Sequence, residues 1–187
     1  MLTTNYPKAT GVLERFKKYV VKQSKTNLTK QFKRSSGSLH KSIKGRILKS
    51  ANRNAQGKFT GGSSVPSLQF EMNEYGAYVD AGVQGSVASK SVERTSKFKF
   101  RNNKKSVPVG PIREWLRRKG QLRKKKGMEY AIAKSIYQKG IKKSLFFTKP
   151  FKTKYPTMIK EYHSALADDI AINVANRLKR ETERKIK

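Results

Sequence analysis

The sequence predicts an α+β fold, because stretches with helical periodicity alternate with a few short stretches that have the periodicity of strands. Residues 9–32 carry a helical stripe of apolar side chains, formed by Val12, Phe16, Tyr19, Val20 and Leu28. In residues 67–72 the side chains alternate instead, with Leu68, Phe70 and Met72 on one side, which is typical of a half-buried strand. A sustained apolar stripe near the carboxyl end predicts a long final helix.

The elements between these segments are shorter, and each has its own signal. Leu39, Ile43 and Ile47 recur every four residues and predict a second helix. Phe98 and Phe100 are spaced by two residues, as in another strand. Further helices are predicted over residues 75–79, from Pro111 to Gly120, over 128–138, and from Pro156 to about Thr182. The last of these would be a rod of about 40 Å.

Length and composition predict a single domain over residues 1–187, since domains typically have ~100–200 residues. Residues 49–66 are rich in Asn, Gly and Ser and predict a flexible loop or hairpin tip. Residues 86–106, basic and polar, predict a second flexible loop or a long arm. Residues 121–127 predict an exposed basic loop.

The positive charge of the chain is large and arranged in blocks. Lys and Arg number 44 against 12 Asp and Glu, which gives a net charge of +32. Residues 1–58 and 90–127 hold most of this excess, whereas residues 59–89 contain no Lys or Arg. Such a field attracts polyanions and repels copies of the same chain. Solubility explains part of the excess, but the charge chiefly predicts an anionic partner, either nucleic acid through its phosphates or an acidic protein surface.

The reactive residue types are too few or too scattered to predict catalysis. The chain has no cysteine, and its two histidines, His40 and His163, belong to no metal-binding pair. Two carboxylate pairs, Asp168 with Asp169 and Glu71 with Glu74, are interpreted as surface charges. Neither a phosphate-binding glycine loop nor a nucleophile elbow is present. We expect no enzyme activity, no cofactor, no metal and no small-molecule substrate.

The distribution of apolar residues also bears on location. No stretch approaches the ~20 apolar residues that a membrane span requires, and residues 1–16 lack the pattern of a signal peptide. The sequence therefore predicts no membrane contact and a place inside the cell or within an assembly.

Three stretches, in this order, resemble the minor tail or tail-completion proteins that join head to tail in bacteriophages. Motif 1 is Ser36-Gly37-Ser38-Leu39-His40-Lys41-Ser42-Ile43, similar to the family's small residue, Gly, any residue, Leu and then Ser-Ile or Ser-Leu. Motif 2 is Tyr75-Gly76-Ala77-Tyr78-Val79-Asp80-Ala81-Gly82, similar to Tyr-Ala-x-Tyr-Val-Glu-x-Gly-Thr, with Asp80 for Glu and Val83 for Thr. Motif 3 is Ser144-Leu145-Phe146-Phe147-Thr148-Lys149-Pro150-Phe151, similar to the Pro-Phe segment before the family's last helix.

The resemblance covers about residues 36–180 and implies both a fold and a place of assembly. It implies helices packed on a curved antiparallel sheet, and a homo-oligomeric ring in the neck or upper tail of the virion, assembled in the host cytoplasm. Portal, connector or tail proteins would be its partners, and DNA would be contacted through phosphates. The basic segment 86–126 departs from the usual pattern of the family.

Two sets of residues are the candidate contacts. The predicted oligomer interface consists of Tyr75, Tyr78, Val79, Phe146, Phe147 and Phe151, although residues 75–79 fit an ordinary core turn equally well. The predicted contact with DNA or an acidic partner consists of Arg113, Arg117, Arg118, Arg123, Lys124, Lys125 and Lys126. The alternative function is a non-specific nucleic-acid-binding protein of the ribosomal or nucleoid type, acting as a monomer.

Overall fold

The computed structural model confirms the α+β class and the long helix at the carboxyl end. It describes residues 5–31, 37–48, 51–53, 59–63, 65–100, 107–118 and 127–185, with the backbone alone at 51–53 and 59–63. The predicted basic loop 121–127 lies outside the described residues except for Gly127, and so does the end of the predicted loop 86–106.

Six helices and six strands follow one another in the described part of the chain. The helices are α1 (Pro7–Lys30), α2 (Ser38–Ser42), α3 (Tyr75–Ala81), α4 (Val109–Arg118), α5 (Met128–Lys139) and α6 (Thr148–Lys185). The strands are β1 (Lys44–Leu48), β2 (Ala51–Arg53), β3 (Phe59–Ser63), β4 (Ser67–Glu71), β5 (Val83–Gln84) and β6 (Gly140–Ile141). A short 3₁₀ turn, Ala88–Lys90, follows β5.

The strands pair in three antiparallel ladders of two strands each. β1 pairs with β4 so that Ile47 lies opposite Leu68, and β2 pairs with β3 with Ala51 opposite Ser63. β5 pairs with β6, where Val83 lies opposite Ile141. The predicted antiparallel pairing is confirmed. Where the resemblance implies one curved sheet, the described strands form three small ladders, each limited to strands of two to five residues.

Two segments adopt a different structure from the one predicted. Ile47 lies in strand β1, not in a second helix, because a spacing of four residues satisfies the period of a strand as well as that of a helix. The last helix begins at Thr148, not at Pro156, because Pro150 falls in its first turn, where a missing N–H costs nothing. Pro156 lies inside this helix, whose 38 residues span about 57 Å.

Contacts along the chain define two compact units. The first unit comprises residues 1–23, 44–71 and 149–187, and the second unit comprises residues 24–43 and 72–148. Helix α1 therefore contributes to both units, while nearly all of α6 belongs to the first. The single domain predicted for residues 1–187 stays a prediction.

Aromatic rings form the centre of the first unit. Phe16 of α1, Phe70 of β4 and Phe151 of α6 meet edge to face, with ring centroids 5.4 to 6.1 Å apart. Edge-to-face pairs of this kind add about 0.5–1.5 kcal/mol each beyond the burial of their area. The apolar stripe predicted on α1 is confirmed as a core face, since Val12, Phe16 and Val20 are at most 4% exposed.

A buried carboxylate of α6 caps the start of α1 within the same unit. Asp169 is 1% exposed and accepts hydrogen bonds from the backbone N–H groups of Lys8, at 3.3 Å, and Ala9, at 2.9 Å. Such first-turn N–H groups lack a partner in their own helix, and a negative charge is favourable there. The interpretation of Asp168 and Asp169 as surface charges is therefore wrong for Asp169. It holds for Asp168, which is exposed and pairs with Lys8 at 2.9 Å.

Helices α4 and α5 form a separate small core in the second unit. Ile112 and Leu116 of α4 pack with Ala133 of α5, and Ile132 and Ile136 lie against them. These are the apolar faces that the spacing of both segments predicts. Trp115 stays 38% exposed, because it lies at the edge of the stripe.

Candidate assembly surface

The second unit brings the three motifs together, although about a hundred residues separate the first from the last. Motif 1 meets motif 2 through side-chain hydroxyls, since Ser38 Oγ and Tyr75 Oη are 2.8 Å apart. The loop before α3 is attached in the same way, because the backbone N–H of Asn73 donates to Ser42 Oγ at 3.0 Å. Motif 1 is therefore packed along the start of α3.

Close packing accompanies these hydrogen bonds. Leu39 of motif 1 is 5% exposed. A Cβ atom at Gly76 would lie 2.9 Å from Leu39 Cδ1 and 2.8 Å from Met72 Sδ. The small residue at the second position of motif 2 thus lets α3 approach α2.

Asp80 joins motif 2 to motif 3. Its side chain is in a residue that is 8% exposed, and Oδ1 accepts the backbone N–H groups of Phe147, at 2.8 Å, and Thr148, at 3.2 Å. Oδ2 accepts the hydroxyl of Thr148. Hydrogen bonds to a carboxylate are stronger than those between neutral groups, so Asp80 holds the start of α6 to the end of α3.

Backbone contacts complete this connection. Ser144 Oγ donates to the carbonyl of Val79 at 2.6 Å, and the N–H of Leu145 donates to the carbonyl of Asp80 at 3.0 Å. Leu145 takes φ of 51°, a left-handed conformation that branched side chains rarely adopt. A strained residue persists only where its surroundings hold it in place. We call the contact region of motifs 1, 2 and 3 the motif junction.

The C-terminal turns of α1 also hold motif 3 within the second unit. Asn27 Nδ2 donates to the carbonyl of Phe146 at 3.2 Å. Gln31 Nε2 donates to the carbonyl of Ser144 at 3.0 Å. The motif junction is therefore braced by side chains from outside the three motifs, which the periodicity of α1 gave no means of finding.

Two tyrosines of α3 remain open to solvent above this buried network. Tyr75 is 43% exposed and Tyr78 is 40% exposed. Three residues apart on one helix, they lie on the same face. The ring of Tyr78 packs against Phe98 with centroids 4.5 Å apart, and Lys97 Nζ lies 5.1 Å from the centroid of Phe98. The pair therefore presents a rigidly supported aromatic surface, for which we keep the name tyrosine face.

The other residues of the predicted interface are placed differently. Phe146 is 0% exposed, so it is a core residue, and the prediction that it contacts another subunit is wrong for this conformation. Val79 and Phe147 are half-buried within the motif junction. Phe151 belongs to the first unit, in the aromatic cluster with Phe16 and Phe70. The apolar character of motif 3 was thus correctly recognised but serves folding.

The predicted basic contact is partly neutralised on α4. Glu114 forms ion pairs with Arg117 at 2.9 Å and with Arg118 at 3.0 Å, and Glu129 pairs with Arg113 at 3.3 Å. The hydrogen bond from Arg117 is the main reason that the pKa of Glu114 lies below its ordinary value. All three arginines are exposed. Four further residues of this predicted contact, Arg123, Lys124, Lys125 and Lys126, lie outside the described residues.

A second open apolar surface lies on α6 in the first unit. Ile170, Val174 and Leu178, four residues apart, are 46%, 52% and 59% exposed. The sequence predicts this stripe, and it continues one that is covered earlier in the helix, where Met158 is 7% exposed. We call these three residues the α6 stripe. Periodicity alone could not show that their part of the helix has no cover.

Other chemical possibilities can be tested within the described residues. Among them, no group of three or more Asp, Glu or His side chains could hold a metal ion. Among the helices that the structure describes, none is long and apolar enough to cross a membrane.

Comparison with known proteins adds no relative to this description. No protein-family model matches the chain, and neither a curated protein nor a solved structure matches it.

Proposed function

We propose that this protein is a structural component of a phage virion, located in the neck or upper tail. Identical subunits would form a ring that joins or completes the tail and lines or seals the DNA passage. Portal, connector or tail proteins would be its neighbours. In this role the protein acts through shape, oligomerisation and charge, and it has no catalytic function.

The observation that carries this proposal is the tyrosine face on the motif junction. The three sequence stretches that resemble tail-completion proteins meet in one place, and Asp80 and Ser38 tie them together. The same network leaves Tyr75 and Tyr78 exposed on a fixed support. Aromatic side chains contribute large contact area for a small loss of conformational entropy, and they are enriched at protein interfaces.

A ring also needs two different contact surfaces on each subunit. In a cyclic assembly of more than two subunits, one surface of a subunit meets another surface of its neighbour. The tyrosine face and the α6 stripe are two such surfaces, one in each unit. A net charge of +32 opposes self-association, so ring formation would require DNA or an acidic neighbour as counter-charge.

Light scattering coupled to size exclusion tests the proposal directly. The purified chain should form a closed oligomer of defined mass when duplex DNA or an acidic connector protein is present. The double substitution Tyr75→Ala with Tyr78→Ala should reduce the mass to that of a monomer, and so should Val174→Ser with Leu178→Ser. All four side chains are at least 40% exposed, so circular dichroism should report an unchanged fold.

A matched control and two outcomes decide the experiment. Tyr130 is 58% exposed on α5, outside both surfaces, so Tyr130→Ala should leave the oligomer intact. A chain that stays monomeric with both DNA and connector proteins would refute the ring. A monomer that binds DNA with affinity falling linearly in the logarithm of salt concentration would favour the alternative, a non-specific nucleic-acid-binding protein.

A further inference from the structure

A polar cavity of about 400 Å³ lies in the second unit, beside the 3₁₀ turn that follows β5. Gly85, Ser89 and Ser91 line it, together with the side chains of Arg94 and Lys99. Its size is within the range of small-ligand sites. Neither motif 1, 2 or 3 nor the predicted basic contact includes these residues.

Hydrogen bonds hold the walls of this cavity in place. Gly85 N–H donates to Ser91 Oγ at 3.0 Å, and Ser91 Oγ donates to the carbonyl of Glu93 at 2.8 Å. The same segment is joined to the end of α5, where Val92 N–H donates to the carbonyl of Lys139 at 2.8 Å. Gly85 itself has no room for a side chain, since a Cβ would lie 2.0 Å from the carbonyl oxygen of Gln138. The cavity is therefore preorganised.

The two cations of the cavity have no compensating carboxylate. Within the described residues, which include all the Asp and Glu of the chain, no carboxylate lies within ion-pair distance of Arg94 or Lys99. The nearest acid in sequence, Glu93, accepts hydrogen bonds from Thr95 and pairs with Lys143 at 3.7 Å. Its charge is thus already used by other partners.

The groove between α1 and α6 in the first unit shows the contrast. Charged residues line it as well, but Lys8 pairs with Asp168 at 2.9 Å and Arg15 pairs with Glu161 at 3.4 Å. Charges of both signs cancel there, so no net field favours an ion. Two uncompensated cations around a fixed polar cavity instead favour an anion whose oxygens accept several hydrogen bonds.

We propose that this cavity binds a phosphate group, with Arg94 and Lys99 as its cationic contacts. The phosphate belongs to a nucleic-acid backbone or to a free phosphate compound, and the two sources share this chemistry. As a contact to DNA, the site rests on the proposed function, because DNA in the passage is the polyanion that a subunit of the ring would meet. As a phosphate site, it is independent of ring formation.

Calorimetric titration with inorganic phosphate at constant ionic strength tests the site itself. Saturable binding of one phosphate per chain is expected. Arg94→Gln with Lys99→Gln should weaken it about tenfold or more, since each charged hydrogen bond is worth about a factor of ten or somewhat more. Fluorescence anisotropy with a short DNA duplex identifies the source. If the backbone is the ligand, the same double variant should weaken duplex binding and reduce its salt dependence by one to two phosphate contacts, roughly 0.9 each on the logarithmic slope.

The matched control is Lys90→Gln with Lys97→Gln, which removes the same charge from exposed neighbours that do not line the cavity. This variant should change phosphate affinity less than about twofold. Equal weakening by both double variants, or the absence of saturable phosphate binding, would overturn the proposal. Light scattering of the same variants reports the ring separately, so a failed phosphate site and a failed ring are distinguishable.

Discussion

Asp80 shows how one residue can decide the shape of a surface without belonging to it. Its carboxylate accepts three hydrogen bonds from Phe147 and Thr148, which fix the end of α3 against the start of α6. The tyrosine face lies on that same helix. A carboxylate in this position is needed because two of its donors are backbone N–H groups at the start of a helix, which have no partner within α6.

Replacing Asp80 by Ala should lower the free energy of unfolding by about 3 kcal/mol, because three donors lose a buried charged acceptor. Asp168→Ala is the control, since this exposed residue makes one surface ion pair worth less than about 1 kcal/mol. Urea denaturation of both variants measures the difference. Equal losses for the two would mean that the motif junction does not depend on Asp80.

Glu93 predicts a pH dependence of stability at its own residue. Its carboxylate is 5% exposed, and the hydrogen bond from the Thr95 hydroxyl, with further bonds from backbone N–H groups of Thr95 and Lys143, holds its pKa below the ordinary value of 4.5. A pKa that is lower in the folded state adds stability above the ordinary value. This contribution disappears as the pH falls through the lowered value.

The stability advantage of the natural protein over Glu93→Gln should therefore be constant near neutral pH and shrink as the pH falls below 4.5. Urea denaturation at a series of pH values measures this difference. The variant Thr95→Val, which removes the main hydrogen bond, should shift the decline to higher pH. An advantage that stays the same down to about pH 3 would contradict the assignment.

Most single residues of the candidate sites were predictable only as to type. The spacing of Tyr75 and Tyr78 identified an aromatic pair, and the structure leaves both exposed. Phe146 has the same apolar character in the sequence, yet it is 0% exposed. Composition cannot separate these cases, because exposure depends on which elements pack over a residue. Arg94 and Lys99 were missed for a related reason, since the cavity between them is formed by hydrogen bonds of Gly85 and Ser91.

At the scale of elements, helices with long stripes were predictable and strand partners were not. The stripe of α1 and the faces of α4 and α5 repeat often enough to exclude a strand. Ile47 belongs to a segment whose spacing fits both periods, and its pairing with Leu68 in β4 is a contact that the local sequence does not encode. The short ladders β2–β3 and β5–β6 are invisible for the same reason.

Glycines at element boundaries give a test at this scale. Gly140 connects α5 to β6 with φ of 81°, and a Cβ there would lie 2.2 Å from the carbonyl oxygen of Val83. Gly140→Ala should therefore cost more than about 2 kcal/mol, through backbone strain and a clash inside the β5–β6 ladder. The measurement is the free energy of unfolding in urea.

Gly110 is the matched control, because it lies in helix α4 and no atom lies within 4 Å of a Cβ placed there. Gly110→Ala should stabilise the protein by about 0.5 kcal/mol, since alanine loses less conformational entropy in a helix. The ladder β5–β6 would be an inessential contact if both variants changed stability by the same small amount.

At the scale of the whole molecule, the net charge of +32 outweighs any local ion pair. The described ion pairs are mostly exposed, and such pairs contribute about 0–1 kcal/mol each. The positive charges that lack a partner repel one another across both units. Repulsion of this kind favours the unfolded chain, in which the charges lie farther apart.

The isolated chain should therefore become more stable as salt concentration rises, although salt also weakens its ion pairs. The Debye length falls from about 30 Å at 0.01 M to about 8 Å at 0.15 M, so repulsion between distant charges is screened first. A gain of about 1 kcal/mol would raise the Tm by roughly 2–4 °C for a chain of this size. Scanning calorimetry in sodium chloride measures the shift, and sucrose at the same osmolality is the control without charge. A Tm that falls across this range of sodium chloride would show that the ion pairs matter more than the repulsion. It would also remove the reason for expecting an anionic partner to be needed before subunits assemble.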